Sequence, residues 1–320
     1  MTEAIVTERL TKFYGSQRVV NGLNLSVSVG SVYGFLGRNG AGKSTTIRML
    51  LGMTRPNYGR VELLGHEIGA LPPEVRGRIA FLAEGHPLVG WMTVAEAVKF
   101  HRAFHAARWN QELLDRILDH FALPPRKKFR RLSFGQRAQV SLALAIAPDP
   151  DLLILDDPTA GLDMVARREF LVSMIQLIQR GGRTIFFSSH IISDVQRVAD
   201  RIGILVDGVL RVDCPTAQFM ESVRKVVLTF PGKPPAFPGC EGLVSAREAG
   251  RRLELVIVNF GDPQREVVES LKPAGWEVLE MNLEDACIEY TRGSKEPFSV
   301  GAEDPDRSPP TIADEGNAPQ

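Results

Sequence analysis

Gly37-Arg38-Asn39-Gly40-Ala41-Gly42-Lys43-Ser44-Thr45 is the stretch of this sequence that decides the fold. It matches the phosphate-loop pattern G-x-x-x-x-G-K-[ST], with a further glycine inside it. The apolar residues 31–36 before the loop predict a short buried strand, and residues 46–51 after it predict a helix. A strand, this loop and a helix in that order predict a nucleotide site in an α/β protein. The alternative is a glycine-rich turn that binds nothing.

The residue types in this loop suit an anion. Glycine lets the backbone turn its N–H groups inward, and a helix N-terminus adds unpaired amides and the positive end of a dipole. We expect Lys43 to reach the β- and γ-phosphates and the Ser44 hydroxyl to ligate Mg²⁺. The residues expected to surround the phosphates are Gly37, Arg38, Asn39, Gly40, Ala41, Gly42, Lys43, Ser44 and Thr45.

Composition restricts the kinds of protein this can be. The chain has 320 residues, 44% of them hydrophobic, which is enough for two or three domains with real cores. Its formal net charge is zero, so no global field favours nucleic acid or an anionic membrane. The three cysteines are far apart in sequence and suit a reducing cytosol rather than disulfides or zinc. Because no signal peptide and no apolar run near ~20 residues is present, we expect a soluble chain.

Two segments before the loop alternate apolar and polar residues. Residues 4–10 and 19–29 therefore predict half-exposed antiparallel strands, with residues 11–15 as the turn between them. Tyr14 in this turn is placed either to stack on a purine base or to fill the core.

Residues 93–121 change to helical spacing and are predicted to be a helical insertion into the nucleotide domain. Thr93 and Glu96 predict a capping box at its start. A basic run follows at residues 126–131. We interpret it as a solvated surface, with contact to phosphates or lipid headgroups as the alternative.

Ser133, Gly135 and Gln136 begin a strongly apolar helical stretch that extends to residue 147. Ser133 and Gln136 form a capping box in S-x-x-Q form, which is a structural role. The same hydroxyl and the free amides of the helix N-terminus also suit a phosphate. Both roles are compatible, because a cap and an anion use the same unpaired N–H groups.

A continuous apolar stretch, residues 152–155, ends in two carboxylates, Asp156 and Asp157. This pattern predicts a buried parallel strand, and ligands bind at the carboxyl ends of such strands. We expect Asp156 to hold Mg²⁺ or its water, and Asp157 to orient or deprotonate the attacking water. A further strand is predicted at 183–187, followed by Ser188-Ser189-His190 as the cap of the next helix. A histidine at such a position is, on its own, more often structural than catalytic.

Together these residues resemble the ATP-binding subunits of ABC transporters, from residue 3 to about residue 219. The resemblance implies a P-loop NTPase core with an antiparallel β-subdomain and a helical insertion at about 85–147. A lone phosphate loop occurs in many NTPases, whereas the ordered set of motifs is specific. In chain order the motifs are the adenine-stacking aromatic (Tyr14), Walker A (37–45), the Q-loop residue (Glu84), the signature (132–136), Walker B (152–157), the D-loop (160–163) and the switch histidine (His190).

The resemblance also implies cofactors and partners. Family members use ATP and Mg²⁺, and two nucleotide domains, in a homodimer or heterodimer, hold ATP head to tail between Walker A of one and the signature of the other. Ser133 and the Gly135 amide, with Gln136 beside them, would then complete the γ-phosphate shell in trans. Closure would move a separate membrane permease from the cytoplasmic face of the inner membrane, and no nucleic acid is expected. We favour residues 87–91, an apolar loop, as part of the permease contact, and burial in the domain's own core is an equal alternative.

Four positions depart from the family pattern. Arg38 replaces a proline in the loop, and Phe134 replaces the first glycine of the signature. Glu84 stands where glutamine is usual, and its carboxylate could still ligate Mg²⁺. Asp157 replaces the usual glutamate and withdraws the carboxylate by about 1.5 Å. Because a misplacement of about 1 Å can cost about 10²-fold in rate, we expect a slow but real ATPase whose catalytic residues are Asp157, His190 and Glu84.

The end of the chain has a different organisation. Residues 221–292 alternate strand and helix patterns and resemble the small C-terminal α+β domain of exporter-type members. We therefore expect an ATP-binding domain at 1–220, this second domain at 221–292, and a disordered, proline-rich and acidic tail at 293–320. The leading interpretation is the energising subunit of an exporter. A soluble ABC ATPase acting on ribosomes or DNA, and a nucleotide-binding regulator with negligible turnover, are the alternatives.

Overall fold

The computed structural model describes residues 3–179 and 182–292. Within this part of the chain the strands are β1 (Glu3–Tyr14), β2 (Gln17–Ser28), β3 (Val32–Leu36), β4 (Tyr58–Leu63), β5 (His66–Glu67), β6 (Ile79–Leu82), β7 (Leu152–Leu155), β8 (Thr184–Ser189), β9 (Arg201–Val206), β10 (Val209–Pro215), β11 (Val223–Thr229), β12 (Leu243–Ala249), β13 (Arg252–Val258) and β14 (Gly275–Glu280). The helices are α1 (Lys43–Leu50), α2 (Pro73–Arg76), α3 (Val94–Phe104), α4 (Gln111–His120), α5 (Phe134–Ile146), α6 (Met164–Gln179), α7 (Ile192–Val198), α8 (Thr216–Ser222), α9 (Asp262–Ser270) and α10 (Leu283–Arg292). None of these helices has an apolar stretch that could span a bilayer.

The central sheet determines where the candidate site lies. Its strand order is β10-β9-β3-β8-β7-β6, and its strands are parallel except for the edge strand β10, which runs antiparallel to β9. Every residue of β3, β7 and β8 is buried, as expected for a parallel sheet covered on both faces. The segments that follow β3, β6, β7 and β8 therefore leave the sheet at one edge. This arrangement confirms the predicted P-loop NTPase core.

A second, antiparallel sheet has the order β2-β1-β4-β5. Its buried residues share a core with α1 and with residues of β3, β7 and β8. The predicted turn at residues 11–15 is wrong, because Lys12, Phe13 and Tyr14 remain extended and pair with β2. The turn is confined to the residues after Tyr14, where Gly15 has φ 59°. A left-handed glycine permits a tight hairpin at this point.

The stretch predicted to have helical spacing, residues 93–121, contains two helices, α3 and α4. Residues 105–110 separate them, and the Asn110 side-chain oxygen accepts from the Leu113 amide at 2.9 Å as the cap of α4. The capping boxes predicted at Thr93 and at Ser133 are both confirmed. By contrast, the predicted cap at residues 188–190 is wrong: the first two belong to β8, and α7 begins after Ile191 without a side-chain cap.

A third sheet, β12-β13-β11-β14, is antiparallel and carries α9 and α10. The Val226, Leu255 and Val268 side chains lie at the centre of its own core. On its other side, α10 packs against α7, and the Tyr290 and Phe219 rings lie 6.2 Å apart. Residues 221–292 therefore have their own sheet but share part of a core with the preceding residues. The tail predicted at 293–320 lies outside the described residues.

Candidate nucleotide-binding site

The phosphate loop requires glycine for space as well as for conformation. Gly40 and Gly42 have φ 84° and 107°, which other residues rarely adopt. A Cβ atom on Gly42 would lie 2.6 Å from the Val19 carbonyl oxygen, and one on Gly37 would lie 2.7 Å from the Leu205 carbonyl oxygen. The loop is thus fixed against β2 and β9, and it leads directly into the N-terminus of α1. A fixed loop of this kind suits phosphate.

Loop residues differ in their exposure. Arg38, Asn39 and Gly40 are exposed, whereas Ala41 and Gly42 are buried. The Ala41 amide donates to the Arg38 carbonyl at 3.1 Å, which closes the turn. Ser44 and Thr45, in the first turn of α1, are half-buried. The exposed tip and the helix N-terminus behind it are the parts of the loop that a nucleotide can reach.

The Lys43 side chain crosses the interior of the phosphate loop. Its side chain is buried, and Nζ donates to the carbonyl oxygens of Gly37 at 2.7 Å and Arg38 at 3.2 Å. Burial lowers the pKa of Lys43, while the charges of Asp157, Asp156 and Glu84 oppose that shift. The ammonium group therefore lies among the carboxylates that were predicted to share the site.

Asp156 is held by two hydroxyl groups. The Ser188 hydroxyl donates to Asp156 Oδ1 at 2.8 Å, and the Ser44 hydroxyl donates to the same oxygen at 3.2 Å. The structure thus brings Ser44 and Asp156, both predicted as Mg²⁺ ligands, to one point at the carboxyl edge of the sheet. Oxygen ligands of these types are the ones that Mg²⁺ prefers.

Asp157 and His190 form a second pair. His190 Nδ1 lies 2.5 Å from Asp157 Oδ2, and the Asp157 amide donates to the Ser188 hydroxyl at 2.9 Å. Asp157 has φ 42°, a conformation uncommon for a non-glycine residue and frequent at functional sites. Its other carboxylate oxygen, Oδ1, is buried without a hydrogen-bond partner among the described residues. That oxygen is available to a polar ligand.

Two predicted site residues lie at the periphery. Glu84 is exposed after β6, and its link to the loop is electrostatic, through the field that it exerts on Lys43. Tyr14 is 48% exposed at the end of β1, so it does not fill the core. Lys12 Nζ lies 5.4 Å from the centre of the Tyr14 ring, and the ring is accessible for stacking.

The signature residues are not brought to the phosphate loop. Ser133 is exposed, and its hydroxyl accepts from the Gln136 amide at 3.1 Å, while Gln136 Oε1 accepts from the Ser133 amide at 3.2 Å. Gly135 and Gln136 are half-buried in the first turn of α5. Among the described residues, the hydrogen bonds of the Ser133 side chain stay within this cap. Within the part of the chain that the structure describes, the phosphate loop and the signature are therefore separate in their hydrogen bonds.

Phe134 links the signature to the D-loop. A Cβ atom on Gly161 would lie 2.9 Å from the Phe134 ring, so the ring lies directly against this glycine. The buried His86 ring makes an edge-type contact with the Phe134 ring, with ring centres 5.7 Å apart, and burial lowers the pKa of His86. The Phe134 ring is thus packed within its own chain although it is 38% exposed.

The residues that support the paired carboxylates are not among the site residues predicted from the sequence. Ser188 was predicted as a cap but bonds to both Asp156 and Asp157. The Thr159 hydroxyl donates to Asp194 Oδ2 at 3.1 Å, and burial raises the pKa of Asp194 against the effect of that bond. These pairs tie the segment after β7 to β8 and α7. Ser188, near the end of β8, carries the signal of a polar residue at a strand end, whereas Thr159 and Asp194 do not lie at a strand end.

Comparisons with known proteins point to the same motifs. A family model described as ABC transporter matches residues 20–160, which include the loop, the signature and the paired carboxylates. Bacitracin transport ATP-binding protein BcrA of Bacillus licheniformis is 36% identical over 227 residues, which cover 70% of this chain and 74% of that protein. Nod factor export ATP-binding protein I of Rhizobium meliloti is 35% identical over 299 residues, which cover 91% of this chain and 88% of that protein. A solved structure of an ATP-binding subunit of an ABC transporter has a TM-score of 0.60 and 25% identity, and the match covers 68% of this chain and 92% of that one.

Proposed function

This chain belongs to the ABC transporter family as an ATP-binding subunit that hydrolyses ATP to power transport, and from that premise we propose that it drives export through a separate membrane permease. The observation that carries the proposal is the convergence of Lys43, the Ser44–Asp156 pair and the Asp157–His190 pair at one edge of the sheet. The export direction is supported by the Nod factor export relative, which matches most of both chains. The Tyr14 ring is proposed to stack on the adenine.

We propose that Mg²⁺ is held by the Ser44 hydroxyl and the Asp156 carboxylate, with Glu84 near them. When bound, Mg²⁺ neutralises negative charge on the β- and γ-phosphates. The described residues contain no cluster of three or more His, Cys, Asp or Glu side chains placed for a metal ion. Two protein ligands are nevertheless enough, because Mg²⁺ usually takes its remaining ligands from phosphate and water.

Asp157 is proposed as the residue that orients or deprotonates the attacking water. Its Oδ2 contacts His190, and its buried Oδ1 has no partner among the described residues, which leaves one oxygen for a water. The aspartate arm is shorter than that of glutamate by one carbon–carbon bond, about 1.5 Å. We therefore propose slow turnover, with His190 positioning the carboxylate.

The signature half of the site is proposed to act in trans, in a head-to-tail dimer. Ser133, Gly135 and Gln136 form an exposed or half-exposed helix N-terminus, which suits the γ-phosphate of a nucleotide held by a second copy or by a related chain. We further propose residues 1–220 as the ATP-binding domain and 221–292 as a C-terminal domain. The proposed location is the cytoplasmic face of the inner membrane.

Residues 87–91 are proposed as part of the permease contact. Burial of this loop in the core is wrong for Val89 and Trp91, which are 48% and 65% exposed. Exposed apolar residues grouped in one loop are typical of an interaction surface.

The test is to purify the tagged chain from detergent-solubilised membranes and to assay Mg²⁺-dependent ATP turnover. A polytopic membrane protein is expected in equimolar amount, and Val89→Asp should lose it while the isolated chain keeps its turnover. Co-purification of ribosomes or DNA in place of a membrane protein would contradict the proposal.

A further inference from the structure

One surface of the helical insertion is both apolar and strongly basic. Its apolar part belongs to the loop after β6, and its charged part belongs to the segment before α5. The sequence alone favours a solvated surface for that segment. We call this surface the basic–aromatic patch, and its residues are Val89, Trp91, Arg126, Lys128, Arg130 and Arg131.

Backbone hydrogen bonds hold the two segments of the patch side by side. The Phe129 amide donates to the Met92 carbonyl at 2.9 Å, and the Arg130 amide donates to the Gly90 carbonyl at 3.0 Å. The Phe129 side chain is only 1% exposed, so it anchors the basic segment in the core. The patch is therefore a fixed surface in which the charges lie beside the exposed Trp91 ring.

The positive charge of the patch is largely uncompensated. No ion pair among the described residues includes any of its four basic side chains. The acidic side chain affected by the patch is Glu96. Hydrogen bonds from Thr93 lower the pKa of Glu96, and the positive charge of Lys128 lowers it further. Since the whole chain has a formal net charge of zero, this is a local concentration of charge.

We infer that the basic–aromatic patch binds the anionic lipid headgroups of the membrane. Tryptophan prefers the headgroup level of a bilayer, and clustered Lys and Arg side chains are attracted to anionic lipids. An acidic protein segment is the competing occupant. Cytoplasmic loops of membrane proteins carry an excess of Lys and Arg, so the anionic leaflet complements the four basic side chains of the patch better than a permease loop does. Val89 and Trp91 lie where this charged surface borders the loop proposed for the permease contact.

This inference goes beyond the proposed function, and it can be tested without a permease. The purified full chain is mixed with phosphatidylglycerol–phosphatidylcholine vesicles or with phosphatidylcholine vesicles, and bound protein is measured by flotation. We expect binding to the anionic vesicles only. Arg126→Gln with Arg130→Gln should lower the partition coefficient about 30-fold, from the typical gain of each basic residue near an anionic surface. Trp91→Ser should lower it as well, and ATP turnover of each variant reports that the chain is folded.

The matched control is Arg251→Gln with Lys272→Gln, which removes the same charge from exposed positions outside the patch. It should leave vesicle binding unchanged. A rise in NaCl from about 0.1 M to about 1 M, which shortens the Debye length from about 10 Å to about 3 Å, should release the wild-type chain. Equal losses in the control pair and the patch pair, or wild-type binding that requires a permease in the vesicles, would overturn the inference.

Discussion

The phosphate-loop half and the signature half of the candidate site are built differently. Lys43, Asp156 and Asp157 are 6–8% exposed, and each is hydrogen-bonded within the chain. Ser133 is exposed, and the hydrogen bonds of its side chain stay within its own capping box. The first half is therefore preorganised by one chain, whereas the second half presents a helix N-terminus to the outside.

This difference explains what each half can do alone. A preorganised set of charged groups can bind a nucleotide and orient water without further ordering. An exposed helix N-terminus of this kind binds the phosphate when another surface holds the nucleotide against it. Substitutions in the first half should therefore act within one chain, and substitutions in the second half should act through the partner.

The largest effect is expected for the first half. Lys43→Ala removes the ammonium group that crosses the loop and should reduce ATP turnover about 10³-fold, the upper end of the loss expected for one preorganised charge-stabilising donor. Steady-state phosphate release measures it. Lys99→Ala, at an exposed position on α3, is the matched control and should keep wild-type turnover. Turnover within tenfold of wild type in Lys43→Ala would mean that the loop lysine does not act on phosphate.

A mixing experiment addresses the second half. Ser133→Arg places a bulky cation on the signature cap and should reduce turnover about 10²-fold or more, because the γ-phosphate loses its second set of donors. Mixed with Lys43→Ala, it should recover up to roughly a quarter of wild-type turnover, since half of the dimers are mixed and each has one intact composite site. Gel filtration with ATP reports the dimer. A mixture as inactive as its two components would show that the halves do not meet in trans.

The first half was largely predictable from sequence because its chemistry is local. Lys43 and Ser44 follow glycines, and the paired carboxylates follow an apolar strand, so pattern and spacing were sufficient. Ser188 was not assigned its role, since its partners lie 31 and 32 residues away. Residues 11–15 are predicted as a turn, but pairing of Lys12, Phe13 and Tyr14 with β2 keeps that part extended. Such partners leave no periodic signal, whether they are 31 residues apart, as Ser188 and Asp157 are, or across a tight hairpin, as Tyr14 and Gln17 are.

The third prediction concerns how well the first half is preorganised for hydrolysis. Asp157→Glu extends the carboxylate by about 1.5 Å and should raise the single-turnover rate, by as much as about 10²-fold, if distance limits the wild type. Asp157→Asn keeps the shape, removes the charge and should lose hydrolysis while retaining ATP-driven dimerisation. Rapid-quench measurement of bound ADP compares the three. Hydrolysis by Asp157→Asn at the wild-type rate would exclude Asp157 as the base.

The smallest effect is expected at Phe134, whose ring supports the signature half of the site within the same chain. The Phe134 ring lies against Gly161 and His86, so it fixes the signature helix relative to the D-loop. Phe134→Ala removes that support, and a shift of a fraction of an ångström should lower kcat about tenfold, with little change in the KM for ATP because the loop half is untouched. Phe134→Leu keeps an apolar contact and should retain most of the rate, and Phe100→Ala, an exposed aromatic on α3, should have no effect. A change in KM with kcat preserved would place Phe134 in nucleotide binding instead, and the two halves would then be less separate than their contacts indicate.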